Sequence, residues 1–333
     1  MFYCMRKMRV FVTQKIPLKG IELLRRHFLV KVYSKGQVIP RKELLKEIRN
    51  CDALLCLLTD KVDQEVLVAN PRLKVVSNYA VGYDNIEVQA ATKLGIPVCN
   101  TPGVLEDAVA EHTFALILAI SKRIVEADQF VRAGKYRRWE PMLLLGTELK
   151  GKTIGIVGLG RIGAGVAERA KKGMGVNVLY HDIKRNKEFE KEYQATFVSL
   201  PGLLKKSDFV SLHVPLLPST RHLIGKKELM LMKKTAFLIN TSRGPVIDEK
   251  ALAWALQKKQ IAGAGLDVYE NEPRINPFLT KLKNTILTPH TASATVEART
   301  AMSELAAQNI IDVLQGRKAK FTVNKEVYEK KKK

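Results

Sequence analysis

From Met8 to Pro102 the chain alternates short β-branched or leucine-rich runs with stretches whose apolar positions recur every three or four residues. The runs 9–13, 29–33, 53–58 and 74–78 read as strands, and 18–27, 41–49, 64–69 and 86–94 as amphipathic helices between them. Strands that alternate with helices belong to a parallel sheet. A longer helical stretch follows over 107–132, with Phe114, Leu116, Ile117, Ile120 and Ile124 at helical spacing. It ends at Gly134, before the loop Trp139-Glu140-Pro141.

A second alternation starts at Lys152 and runs to His290, and one long helix over about 296–314 finishes the chain. The pattern predicts an α/β protein with two sheets, the last helix crossing back to the first. No repeat of 20 to 50 residues is present, which sets solenoids and propellers aside.

The composition fits two ordinary domains: 333 residues, 46% hydrophobic and 27% charged. The longest apolar run of the first half, 114–120, is far short of the roughly 20 residues that span a bilayer, so no membrane partner is expected. Arg6, Lys7 and Arg9 interrupt the first ten residues, which therefore do not read as an export signal. Cys4, Cys51, Cys56 and Cys99 form no Cys-x-x-Cys pair, so neither a disulfide framework nor a metal site is expected, and a cytoplasmic location fits. The net charge of +23 would concentrate anions, a pyrophosphate or a carboxylate among them. A lysine-rich solvated surface accounts for it without nucleic acid as a partner, and Lys330 to Lys333 read as a disordered tail.

The run 153–157 reads as a buried strand leading into Gly158-Leu159-Gly160-Arg161-Ile162-Gly163, which opens a helix. Gly158 permits a tight turn, Gly160 lets a pyrophosphate approach the backbone, and Gly163 lets the helix pack closely on the strand. Asp182 follows the last glycine by 19 residues, at the end of a strand over 177–181, where a carboxylate accepts from ribose hydroxyls. The motif predicts a dinucleotide, NAD in preference to NADP because Asp182 repels a 2′-phosphate. Lys184 and Arg185, just beyond, leave NADP open.

Ligands of an open α/β sheet bind beyond the carboxyl ends of its strands. The run 209–214 ends at Pro215, 236–240 at Thr241-Ser242-Arg243-Gly244, 262–266 at Asp267, and 285–288 at Pro289-His290. Arg243 offers a planar fork for a carboxylate, and His290 can move a proton near neutral pH. A carboxylate on that imidazole would favour its proton-donating form, with Glu270 and Glu272 both candidates.

These residues resemble the D-isomer-specific 2-hydroxyacid dehydrogenase family over almost the whole length, from about Met8 to Lys325. The matching motifs are Asn78 to Ile86 (NYAVGYDNI), Gly151 to Gly163 (GKTIGIVGLGRIG), Asn240 to Gly244 (NTSRG), Gly265 to Pro273 (GLDVYENEP) and Thr288-Pro289-His290. The resemblance, nearest in look to glyoxylate reductases within that family, implies a catalytic set of Arg243, Glu272 and His290. It implies coenzyme contacts from Gly158, Gly160, Arg161, Ile162, Gly163, Asp182, Pro215, Thr241, Ser242, Arg243 and Asp267, with Asp267 on the nicotinamide carboxamide. Leu58, Val81, Gly82 and Arg243 would meet the substrate, the backbone of Val81 and Gly82 gripping its carboxylate.

The implied architecture is a Rossmann-type cofactor domain, residues 103–290, inserted into a flavodoxin-like substrate domain made of 1–102 and 291–333, in a homodimer. Closure of the cleft between them would exclude water. Phosphite dehydrogenases carry lysine where Val81 stands, and phosphoglycerate dehydrogenases an Arg-Ser pair where Leu57-Leu58-Thr59-Asp60 stands; both substrates are disfavoured. A small 2-oxo or 2-hydroxy acid remains, glyoxylate or hydroxypyruvate first and lactate or phosphoglycerate behind them. A corepressor of the same fold, binding a peptide in place of chemistry, is the alternative outside enzymes.

Overall fold

The computed structural model describes residues 6–329. The start of the segment judged for export and the lysine run 330–333 lie outside the described residues.

The chain divides into two compact units, one made of the residues up to Leu105 together with those from Ala294 onward, the other of Glu106–Ser293. Each division falls three residues later than the boundary drawn from the sequence. The carboxylate of Asp267 accepts from the N–H groups of Thr291 and Ala292, both at 2.8 Å, which keeps those residues with the second unit.

In the first unit the order is β1 (Arg9–Val12), α1 (Leu18–Arg25), β2 (Leu29–Val32), α2 (Arg41–Ile48), β3 (Ala53–Cys56), α3 (Gln64–Val68), β4 (Val75–Asn78), α4 (Val88–Lys93) and β5 (Val98–Cys99). The five strands form one parallel sheet ordered β2-β1-β3-β4-β5, the flavodoxin-like order. β3 and β4 are buried along their whole length, as central strands covered on both faces must be. β5 has two residues, too few to show a period in the sequence.

The second unit opens with α5 (Glu106–Ser121) and α6 (Ile124–Arg132). It continues β6 (Thr153–Val157), α7 (Arg161–Met174), β7 (Asn177–His181), α8 (Lys187–Tyr193), β8 (Thr196–Phe197), α9 (Leu200–Lys206), β9 (Phe209–Leu212), α10 (Lys226–Leu231), β10 (Phe237–Asn240), α11 (Glu249–Gln257), β11 (Gly263–Leu266), α12 (Pro277–Lys281) and β12 (Thr285–Leu287). Its seven parallel strands are ordered β12-β11-β10-β9-β6-β7-β8. The direction of winding reverses between β6 and β9, the switch point where such sheets take ligands.

The single helix expected over 107–132 is two. Arg123 has φ 55°, which ends one helix before the next begins. The carbonyl of Ser121 accepts from Thr147 N at 2.7 Å, and a Cβ on Gly146 would lie 2.5 Å from that oxygen, so a returning segment occupies the place of a further turn. α5 buries Leu116, Ile117 and Ile120, whereas α6 buries nothing and leaves Ile124 about half exposed.

The last helix, α13 (Val296–Leu314), belongs to the first unit, packed on α1, β3 and β4. A Cβ on Gly20 of α1 would lie 2.2 Å from Ser303 O, so glycine sets how closely the helices meet. Ser77 Oγ of β4 donates to Ala306 O at 3.0 Å, and Val98 N of β5 to Asn324 Oδ1 at 2.8 Å.

Candidate active site

The glycine turn lies at the switch point of the second sheet. Gly158 has φ 93° and passes the backbone of His213 so closely that a Cβ would lie 2.8 Å from it. A Cβ on Gly163 would lie 2.1 Å from Gly158 O, so this glycine lets α7 sit on the turn. Gly160 is the N-cap of α7: no side chain caps the helix there, and the space beside its Cα is open. The first N–H groups of a 14-residue helix with open space beside its N-cap suit an anion. Arg161 and Ile162 form that first turn, with Arg161 Nη1 3.6 Å from Glu106 Oε1. Asp182, just past β7, accepts from Leu159 N at 2.6 Å and so ties the turn to the strand end. These residues fit the pyrophosphate and ribose of a dinucleotide.

Around the same edge, Pro215 O accepts from Thr220 Oγ1 at 2.6 Å on the loop after β9. Thr241 Oγ1 is buried 2.8 Å from Thr113 Oγ1 of α5. Ser242 Oγ donates to Asn240 Oδ1 at 2.8 Å, and Asn240 Nδ2 donates to Arg243 O at 3.0 Å, which folds the turn that presents Arg243. Arg243 Nη1 also donates to Ser242 O at 2.8 Å.

β10, β11 and β12 are neighbours and parallel, so their ends bring Arg243, Asp267 and His290 to one edge. Of the two glutamates, Glu272 meets the histidine: Oε2 is 2.8 Å from His290 Nδ1, while Oε1 accepts from Tyr269 N at 2.9 Å. Burial works against the ionised form of Glu272. The hydrogen bond and charge of His290, the Tyr269 N–H and the charge of Arg243 outweigh it, and the carboxyl is held below its ordinary range. Glu270 turns elsewhere, to His222 Nε2 at 2.7 Å and Arg221 Nη2 at 3.4 Å.

His290 stands at φ 55°, a left-handed conformation that costs an ordinary residue about 1 kcal/mol. Asp267 over-determines it. Its carbonyl accepts from His290 N at 2.9 Å, and its fully buried carboxylate accepts from Thr288 Oγ1 at 2.5 Å and from the N–H groups of Thr291 and Ala292. The role implied for Asp267 by the family resemblance was a contact with the carboxamide. In the structure Oδ1 accepts from Thr288 and Thr291 and Oδ2 from Ala292 N, so the residue also anchors the segment carrying His290.

Leu58, Val81 and Gly82 lie past β3 and β4, in the first unit. Asp60 accepts from Leu57 N at 2.7 Å and Thr13 Oγ1 at 2.5 Å, which fixes the loop bearing Leu58. Val81 O accepts from Asn100 Nδ2 and Gly82 O from Asn78 Nδ2, both at 2.8 Å. In a trans peptide the N–H points opposite to the carbonyl, so the N–H groups of Gly82 and Tyr83 are turned away from those asparagines. Such a pair of N–H groups is a fitting grip for a carboxylate.

Residues 114–292 match the sequence profile of "D-isomer specific 2-hydroxyacid dehydrogenase, NAD binding domain". The chain belongs to the D-isomer-specific 2-hydroxyacid dehydrogenases. It is thus an NAD(P)-dependent enzyme, and its second unit carries the NAD-binding domain of that family. A glyoxylate reductase of Thermococcus litoralis is 52% identical over 325 residues, 96% of this chain and 98% of the relative. A solved structure of a Thermus thermophilus protein superposes with a TM-score of 0.90 at 42% identity, covering 95% of this chain and 100% of that one. An NADPH-dependent glyoxylate/hydroxypyruvate reductase of Sinorhizobium meliloti, solved with NADP and malonate, gives 0.84 at 32% identity over 95% and 97% of the two chains.

Several residues that brace the loops and strand ends of the two units were not read from the sequence. Asn85 Nδ2 donates to the carbonyls of Leu57 and Asp60, both at 3.0 Å, joining two loops of the first unit. His112 Nε2 lies 3.1 Å from Thr288 Oγ1. His213 hydrogen-bonds Ser211 Oγ at 2.8 Å beneath the glycine turn, and burial of its ring pushes its pKa down to about 3. Asn85 lay within a quoted motif, and His213 at a strand end; both positions could have been weighed.

Proposed function

We propose that the chain reduces a small 2-oxo acid, glyoxylate or hydroxypyruvate, to the corresponding 2-hydroxy acid with NAD(P)H. The observation that carries the reading is the Glu272–His290 pair, on the sheet edge that also presents Arg243. Bound NAD(P)H supplies the hydride, which arrives at C2 of the acid. The guanidinium of Arg243 holds the substrate carboxylate and polarises the neighbouring carbonyl. With Nδ1 of His290 directed to Glu272, Nε2 is the nitrogen that gives a proton to the C2 oxygen, and the charged Glu272 steadies the imidazolium before transfer. The N–H groups after Val81 and Gly82 are assigned to the substrate carboxylate and Leu58 to the pocket wall. The domain limits follow the same reading, with the first unit binding substrate. The names of the relatives, glyoxylate reductase among them, support the choice of acid.

Steady-state rates with glyoxylate, hydroxypyruvate, pyruvate and phosphohydroxypyruvate, each with NADH and NADPH, test the proposal. The first two acids should turn over fastest, and no turnover with any 2-oxo acid would refute it. His290→Asn, which tolerates the left-handed backbone, should lower turnover by roughly 10²- to 10⁴-fold.

A homodimer and a cytoplasmic location complete the proposal. α6 buries no residue, and Trp139 and Met142 on the arm after it are each 75% exposed. An open groove of about 1090 Å³ beside α6, lined by Arg123, Phe130, Leu145 and Ile286, offers a second copy of the arm a seat. Sedimentation should give a dimer, dissociated by Trp139→Ser with Val131→Glu. No helix among the described residues is long and apolar enough to cross a membrane, and Cys51, Cys56 and Cys99 are free thiols.

A further inference from the structure

The two cations just past Asp182 bear on the choice of coenzyme, and one of them is already engaged. Arg185 Nε and Nη2 donate to the two carboxylate oxygens of Glu190 at 2.8 and 2.7 Å. Glu190, in the first turn of α8, is itself held from behind. The buried Tyr180 of β7 donates its hydroxyl to Glu190 Oε1 at 2.7 Å and accepts from Asn186 N at 2.8 Å, and Asn186 Oδ1 caps α8 through Phe189 N at 3.0 Å. The Arg185 guanidinium, then the Tyr180 hydroxyl, hold the Glu190 carboxyl down at about 2, so its charge persists at every working pH.

A guanidinium recognises phosphate with the same side-on fork that it offers a carboxylate. On Arg185 that fork is taken, its charge is balanced by Glu190, and Asp182 adds a second negative charge at the strand end. We propose that Glu190 determines coenzyme specificity: by holding Arg185 it withholds the cation that a ribose 2′-phosphate would need, and turns the site toward NAD(H). The inference rests on the dehydrogenase reading, and its residues act through Arg185 without touching the nicotinamide.

The test is direct binding, by titration of protein fluorescence with NADH and with NADPH, and needs no turnover. Glu190→Gln should tighten NADPH by about tenfold, the worth of one exposed charge-assisted contact, and leave NADH within about twofold. Arg185→Gln alone should weaken neither coenzyme selectively, and in Glu190→Gln/Arg185→Gln the gain for NADPH should vanish. The proposal is overturned if Arg185→Gln selectively weakens NADPH, since the cation would then already serve the phosphate, or if folded Glu190→Gln shows no gain. The Arg185→Gln arm stands even where loss of the Tyr180 partner unfolds the Glu190 variant. Wild-type protein that binds neither coenzyme would sink the dehydrogenase reading itself.

Discussion

Gly244 and Tyr269 meet main chain against main chain: a Cβ on the glycine would lie 1.9 Å from both the carbonyl carbon and the oxygen of Tyr269. Arg243 precedes the one and Glu270 follows the other, so this contact sets the spacing between the arginine turn and the loop that carries Glu272. Gly244→Ala must force the two apart. Overpacking of this kind costs about 1–3 kcal/mol, and denaturant melts should show it together with a fall in kcat/KM. A stable, fully active alanine variant would mean that the spacing is not critical.

Glu272→Gln keeps the shape of the side chain and removes its charge. Because its carboxyl sits below the ordinary range when folded, the ionised form stabilises the protein above the unfolded value of about 4.3, and that contribution is lost as pH falls through the folded value. The variant should lose this part of the acid dependence in melts run from neutral to acidic pH. Turnover should fall by roughly 100-fold or more at neutral pH, since His290 loses the partner of Nδ1.

Asp267→Asn places an amide where Thr291 N and Ala292 N donate, and one of its atoms must then face a donor with a donor. The expected result is a lower melting temperature and a reduced kcat with NADH affinity little changed, as befits a positioning residue. Weakened NADH binding with kcat intact would place Asp267 on the coenzyme.

His213 should stay neutral through the working range. Burial pushes its pKa down to about 3, while the unfolded chain takes up a proton near 6.5. The unfolded state therefore binds more protons below 6.5, and stability declines as pH drops from there toward the folded value. In a proton NMR titration from pH 8 to 5, the His213 ring signals should not move. A midpoint near 6.5 would contradict the burial.

Thiol reagents should find Cys51, Cys56 and Cys99 silent. Desolvation is the first cause in each, pushing Cys51 and Cys99 up to about 12 and Cys56 well above its ordinary value. These three thiols should react with a chromogenic disulfide only after denaturant, and rapid reaction of any of them in the native protein would show an opening not present here.

Much of this was legible in the linear chain, for a physical reason. The turn from Gly158 to Gly163 and Asp182 lie within one strand, helix and strand, so spacing along the chain is spacing in space. His290 and Arg243 were legible because strand ends of a parallel sheet share an edge. The contact of His112 with Thr288 spans 176 positions and follows no period, and the ties of Asn85 and Asn100 are side-chain bonds to carbonyls distant in the chain. The break at Arg123 was hidden because Lys122 and Arg123 are good helix formers; the returning segment at Gly146 and Thr147 overrides them.

The seal that α13 places on α1 and β4 has a consequence for biosynthesis. On the ribosome β1 to β5 emerge well before α13, the helix that closes their core, with the whole second unit between them. The middle unit is continuous in the message and has all its strands before α13 is made, so co-translational folding should complete it first and leave the first unit protease-sensitive until α13 docks.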